Sequence, residues 1–109
     1  MNNLVILSDT MQTDVAASEY VAQSMLWASR EYLGLTLESE EQIKFDDGSS
    51  SRLEIFHAKY NEVTEERLFM QTAQICHKKV YLLTLGLEND TVSDKYSQYK
   101  TLLSSFTCK

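Results

Sequence analysis

Two apolar runs, Arg67 to Cys76 and Val80 to Leu87, are separated only by His77-Lys78-Lys79 and followed by a segment closing on Leu102-Leu103-Ser104-Ser105-Phe106. So short a join returns a strand antiparallel to its neighbour, because a parallel return needs a crossover of roughly a dozen residues. In the first run Leu68, Met70 and Cys76 fall on one face and Phe69, Ala73 and Ile75 on the other, so both faces need cover. The second run is the most hydrophobic of the chain and takes a central place in the sheet. Beyond it, Asn89-Asp90 offer an N-cap, and Val92, Tyr96, Tyr99, Leu103 and Phe106 recur at helical spacing. A hairpin with a helix packed on it is the element that fixes the architecture.

The rest of the chain supplies further strands and one more helix. Leu4-Val5-Ile6-Leu7, ended by Ser8-Asp9-Thr10, reads as a buried strand. From Asp14 to Leu33 a stripe of Tyr20, Val21, Met25, Ala28, Tyr32 and Leu33 predicts a helix, with Gly34 at its C′ position. Leu35, Leu37, Ile43 and Phe45 flank the acidic Glu38-Ser39-Glu40-Glu41 cluster and read as a strand leading into a loop, and Asp46-Asp47-Gly48 makes the turn. Arg52 to Tyr60 sets Leu53, Ile55 and His57 against Glu54, Phe56 and Ala58, a strand apolar on both faces in its middle. Asn61 to Glu66 is polar and turn-like. The order strand-helix-strand-strand-strand-strand-helix predicts an α+β fold: an antiparallel sheet of about five strands with two helices packed on it.

At 109 residues, 43% of them hydrophobic, the chain suffices for one core, and residues 1–109 read as a single domain. A formal net charge of −6, spread through the chain, argues against nucleic acid as partner. No apolar run reaches the roughly 20 residues of a membrane-spanning helix, and the start lacks the basic and apolar regions of an export signal, so the expected location is cytoplasmic. Cys76 and Cys108 suit a reducing compartment as free thiols; a bridge between them stays open if the domain is exported.

Asn3-Leu4-Val5-Ile6, a helix carrying Glu19-Tyr20-Val21, Lys79-Val80-Tyr81-Leu82-Leu83-Thr84 and the closing Leu102-Leu103-Ser104-Ser105-Phe106 resemble the DcrB-like and PsbP-like superfamily. That superfamily includes the Mog-type Ran-binding proteins and the Eag chaperones of secreted effectors. The resemblance implies a protein-binding role. It also exposes a departure: members open with a strand pair and a Pro-Gly-Trp-like turn ahead of the strand matching Leu4 to Leu7, and this chain has no proline. Lacking those strands, the sheet is expected to leave an edge or face uncovered, inviting a homodimer or a partner strand.

Catalytic constellations are not legible. Cys76, His77 and His57 are the only candidate metal-ligand set, but adjacent strand residues point to opposite faces, so neither a metal nor another cofactor is expected. Ser104-Ser105 lacks a nucleophile elbow, the Glu38-Glu40-Glu41 cluster reads as solvated surface, and three glycines make no phosphate loop. The functional lead is apolar. Trp27 lies next to the helix stripe, and Phe56, Phe69 and Met70 remain on an open sheet face if both helices pack on one side, so these four are the candidate partner-binding residues. The expected function is a non-enzymatic protein-binding module, a chaperone or adaptor for a secreted effector or another protein with an apolar segment. The alternatives are an accessory domain of a membrane-associated or periplasmic assembly, and last a metal-dependent enzyme.

Overall fold

A computed structural model describes residues 3–10, 16–59, 61–76, 79–88 and 93–107, without the side chains at 3, 7–10, 18, 25–29, 31 and 93. In chain order the elements are β1 (Asn3–Thr10), α1 (Ala17–Glu31), β2 (Leu33–Lys44), β3 (Ser50–Lys59), β4 (Arg67–Cys76) and β5 (Lys79–Glu88). A single 3-10 turn, Ser93–Lys95, then leads into α2 (Tyr96–Ser104). The five strands form one sheet in the order β1-β5-β4-β3-β2, every pair antiparallel. The fold is therefore the expected α+β arrangement, with β4 rather than β5 at its centre.

Alternation along the strands sorts the core into two sides. Leu53, Ile55, Leu68, Met70, Leu83, Leu85 and Leu87 form one buried cluster with Leu103 of α2, and Tyr96, Tyr99 and Phe106 pack against it. The intervening residues face α1: Phe56, Ala58 and Phe69 lie under Tyr32 and Leu35, while Ala73 and Val80 lie under Val21 and Tyr20. The two helices thus cover opposite faces, and β3 and β4 are buried on both sides. Glu19 in the first turn of α1 and Arg30 in its last turn complement the helix dipole.

Between the two apolar patches under α1 runs a transverse polar row. The strand registers align Glu40, Glu54, Gln71 and Thr84 across β2, β3, β4 and β5. Glu54 is only 2% exposed, so this row places a carboxylate inside the protein.

Several local expectations change. Gly34 is not a helix C′ residue: α1 ends at Glu31, and Gly34, at φ 60°, lies in β2 where the register with β3 shifts between Leu33 and Thr36. A left-handed glycine lets the strand bulge without the strain a Cβ would bring. Gly48, at φ 92°, forms the β2–β3 turn as expected, with Gly48 N–H donating to the Phe45 carbonyl at 2.9 Å. Asp47 closes that turn by accepting from the Ser49 backbone and hydroxyl, and these bonds hold its carboxyl below the usual carboxylate range. The Asn89-Asp90 cap lies outside the described residues; α2 starts at Tyr96, with Lys95 at the N-cap and no side-chain cap bond. Cys76 is disulfide-bonded rather than a free thiol, and the sequence has one other cysteine, Cys108, which lies outside the described residues.

Candidate functional site

Of the four residues singled out from sequence, Phe56, Phe69 and Met70 do not form one surface. Phe56 and Phe69 are buried side by side with ring centroids 5.2 Å apart, and Tyr32 stacks 5.5 Å from Phe69. Met70 is buried on the opposite face in the α2 cluster. The expectation of an open face assumed helices on one side only; with a helix on each side, these three side chains are core in this conformation. Trp27 falls within α1, and its side chain lies outside the described residues.

What the fold leaves open is an edge. Among the described residues β1 pairs only with β5, and its consecutive Leu4, Val5 and Ile6 are 42%, 42% and 47% exposed. The register gives their directions: Leu4 and Ile6 sit opposite Leu85 and Leu83 on the α2 face, and Val5 sits opposite Thr84 on the α1 face. Leu4-Val5-Ile6 reads as a buried strand from sequence because β-branched and aliphatic runs suit buried strands, but strand position depends on pairing partners that no local pattern specifies. Outward N–H and C=O groups of an edge strand are a template for another strand, and no charged residue interrupts Asn3 to Ser8.

The other edge differs. β2 carries Glu38, Glu40, Glu41 and Lys44 and has two register shifts against β3, although Leu33 and Leu37 are part-exposed along it. Charge and bulges are the usual devices that keep an edge from pairing. The acidic cluster read as solvated surface lies on this strand with its carboxylates part-exposed, and each glutamate has a definite partner. Arg52 bridges Glu40 and the buried Glu54, its Nε lying 2.5 Å from Glu54 Oε1. Burial pushes the Glu54 carboxyl above its ordinary value, while the Arg52 charge pulls it back and Glu40 adds to the rise. Glu54 Oε2 has no hydrogen-bond partner. A shallow depression of about 390 Å³ lined by Glu40, Glu41, Gln42, Ser50, Ser51 and Arg52 lies on this hairpin, but its one cation is already held by two carboxylates.

On the α2 face, Glu38 accepts from His57 Nε2 at 2.8 Å and from the Tyr96 hydroxyl at 3.2 Å, and Glu66 lies 3.7 Å from His57 Nδ1. Lys100 donates to Glu41 at 2.6 Å, and the Asp46 N–H donates to the Ser104 carbonyl at 2.9 Å. These contacts pin α2 to β2 along its length, which explains how a helix of nine residues without a side-chain cap stays docked. Tyr96 supplies a direct check. Its phenol is pushed above its ordinary value by burial first and by Glu38 second. In an alkaline absorbance titration Tyr96→Phe should remove a phenol that titrates above its ordinary range, and loss of the bond should cost about 1 kcal/mol in a urea melt. Because the folded value is raised, Tyr96 supports the fold below the unfolded phenol's range, and that support is lost as pH rises through the folded value.

Of the candidate metal set, Cys76 is in a disulfide, His57 is engaged by two glutamates, and His77 lies outside the described residues. Among the described residues no three His, Cys, Asp or Glu side chains are grouped to hold a metal ion. No described helix is long and apolar enough to cross a membrane.

No protein-family model matches the chain, and no curated protein matches it. Among solved structures, it resembles PA94 of Pseudomonas aeruginosa, a protein of unknown function suggested to be a regulator, with a TM-score of 0.76 and 18% identity. The match covers 99% of this chain and 73% of that one, and at this identity it shows a shared fold.

Proposed function

We propose that the protein is a non-enzymatic protein-binding module, a chaperone or adaptor that takes an apolar segment of a partner by strand addition at the β1 edge. One observation carries this reading: among the described residues β1 has no strand on its outer edge, and its Leu4, Val5 and Ile6 are exposed on both faces of the sheet. Main-chain hydrogen bonds would supply the affinity, and the flanking apolar side chains the preference for an uncharged, β-branched strand. The resemblance to effector-chaperone families agrees with a role of this kind.

A labelled synthetic peptide of alternating valine and threonine is the probe. Its fluorescence anisotropy should saturate with added protein, and Val5→Lys should weaken binding at least tenfold, the equivalent of about 1.4 kcal/mol. Val63→Lys, at a 92% exposed loop position, should leave it unchanged. Binding indifferent to Val5→Lys would overturn the strand-addition site, and so would binding confined to a helix-forming apolar peptide.

The disulfide at Cys76 favours a second reading, an accessory domain of a periplasmic or membrane-associated assembly, because disulfides persist in oxidising compartments. Thiol titration of denatured protein, isolated without reductant from its native cells, separates the two. No free thiol supports the exported accessory domain, and two would remove the observation on which this second reading rests.

A further inference from the structure

We infer that the resting occupant of the β1 edge is a second copy of this chain, paired β1 to β1 about a two-fold axis through Val5 and forming a continuous ten-stranded sheet. The inference rests on the reading of β1 as the binding edge and names the partner that covers it when no client is present.

Symmetry selects the register. In an antiparallel junction the two-fold axis stands perpendicular to the sheet, so each face of one copy continues into the same face of the other. Paired residues must therefore point to the same face. Val5 lies on the α1 face, Leu4 and Ile6 on the α2 face. An axis through Val5 satisfies the condition at every exposed apolar position: Val5 meets Val5 of the second copy, Leu4 meets its Ile6, and Ile6 meets its Leu4. Shifting the axis by half a residue would set an α1-face side chain against an α2-face one, which the sheet pleat does not permit. Thus the three consecutive exposed residues complement themselves, and apolar cross-strand pairs of this kind stabilise a sheet.

Charge does not oppose this arrangement, although β1 itself carries Asp9 toward its end. Two chains of net charge −6 repel, but much of the negative charge lies far from this junction. Glu38, Glu40 and Glu41 are on β2, four strands away from β1 in the sheet order, and Glu54 is on β3. At about 4.8 Å per strand, β2 is roughly 19 Å from β1. The Debye length at physiological ionic strength is about 8 Å, so this repulsion is screened at the junction. The neighbouring β5 contributes one charge of each sign, Lys79 and Glu88, at its opposite ends. A pairing through β2 would instead oppose rows of glutamate.

Sedimentation velocity over a concentration series tests the assembly. The wild-type protein should approach twice its 12.5 kDa monomer mass as concentration rises, and Val5→Lys should sediment as the monomer. The register is tested separately by Val5→Cys, a change mild enough to leave the fold intact. The two introduced thiols would sit across an antiparallel pair whose Cα atoms are about 4.5 to 5.5 Å apart, within disulfide range, so mild oxidation should give a covalent dimer. Wild-type protein and Gln42→Cys on β2 should not give that product. A wild-type monomer at every concentration overturns the inference, as does crosslinking through Gln42→Cys rather than Val5→Cys, or a Val5→Lys variant that remains dimeric. Failure of the functional reading looks different. A dimer that never binds the valine-threonine peptide removes the client role and leaves the self-pairing, whereas a monomer whose peptide binding is lost in Val5→Lys does the reverse.

Discussion

Phe69→Ala should lower the stability of the protein by about 3 to 5 kcal/mol, the usual cost of truncating a buried phenylalanine. The ring is 1% exposed and forms a three-ring cluster with Phe56 and Tyr32, so its removal leaves a hole beside both remaining rings. A domain of this kind has about 5 to 15 kcal/mol to lose, and the change should appear as a large drop in the urea midpoint. Phe69→Leu keeps most of the volume and should cost well under half as much. Coupling between Phe69→Ala and Tyr32→Ala in a double-mutant cycle should come to about 1 kcal/mol, the part of the stack that is not area burial. A Phe69→Ala protein that melts like the wild type yet loses partner binding would show instead that α1 leaves this face in solution.

Arg52→Ala should produce the second large effect, and its pH dependence identifies the cause. The substitution leaves the Glu54 carboxylate buried with no cation beside it, and although Arg52 is itself about one-third exposed, an uncompensated buried charge destabilises the fold. Burial already raises the Glu54 carboxyl above its ordinary value, and loss of the Arg52 charge raises it further. A carboxyl whose folded value exceeds its unfolded value holds its proton more tightly in the folded state. The corresponding stability is complete below the unfolded value and is lost as pH rises through the folded one. The Arg52→Ala penalty should therefore be largest near neutrality and shrink as pH falls toward about 4.5. Urea melts at several pH values measure it. A penalty independent of pH would assign the loss to packing of the arginine stem across β3. Glu54→Gln should be close to neutral, because an amide still accepts from Arg52 without the cost of a buried charge.

Element types were legible because they rest on local periodicity. Arg67 to Cys76 is β4 to the residue, since both faces of that strand are apolar and polar segments bound it. What could not be read was which face of the sheet each helix covers. Phe56 and Met70 have similar sequence surroundings, yet one is buried under α1 and the other under α2, a difference set by chain crossing rather than by neighbours. The edge position of β1 was hidden for the same reason: Leu4-Val5-Ile6 has an interior composition but only one neighbouring strand. Glu54 left only a faint signal, an acid in the middle of an apolar strand with an arginine two residues earlier on the same face. Gly34 follows the predicted helix at the position a capping glycine takes, and only the bulge in β2 shows that its positive φ serves a strand.

The unlike edges of the sheet also decide where growth stops. A sheet with two equivalent open edges adds copies at both ends and becomes a fibre. Here self-pairing would consume β1 of each chain and leave only β2 at both outer ends, where the Gly34 bulge and the glutamates turn away a further strand. In such an assembly the bulge and the charges would act as terminators, limiting it to two copies where a second open edge would permit a filament.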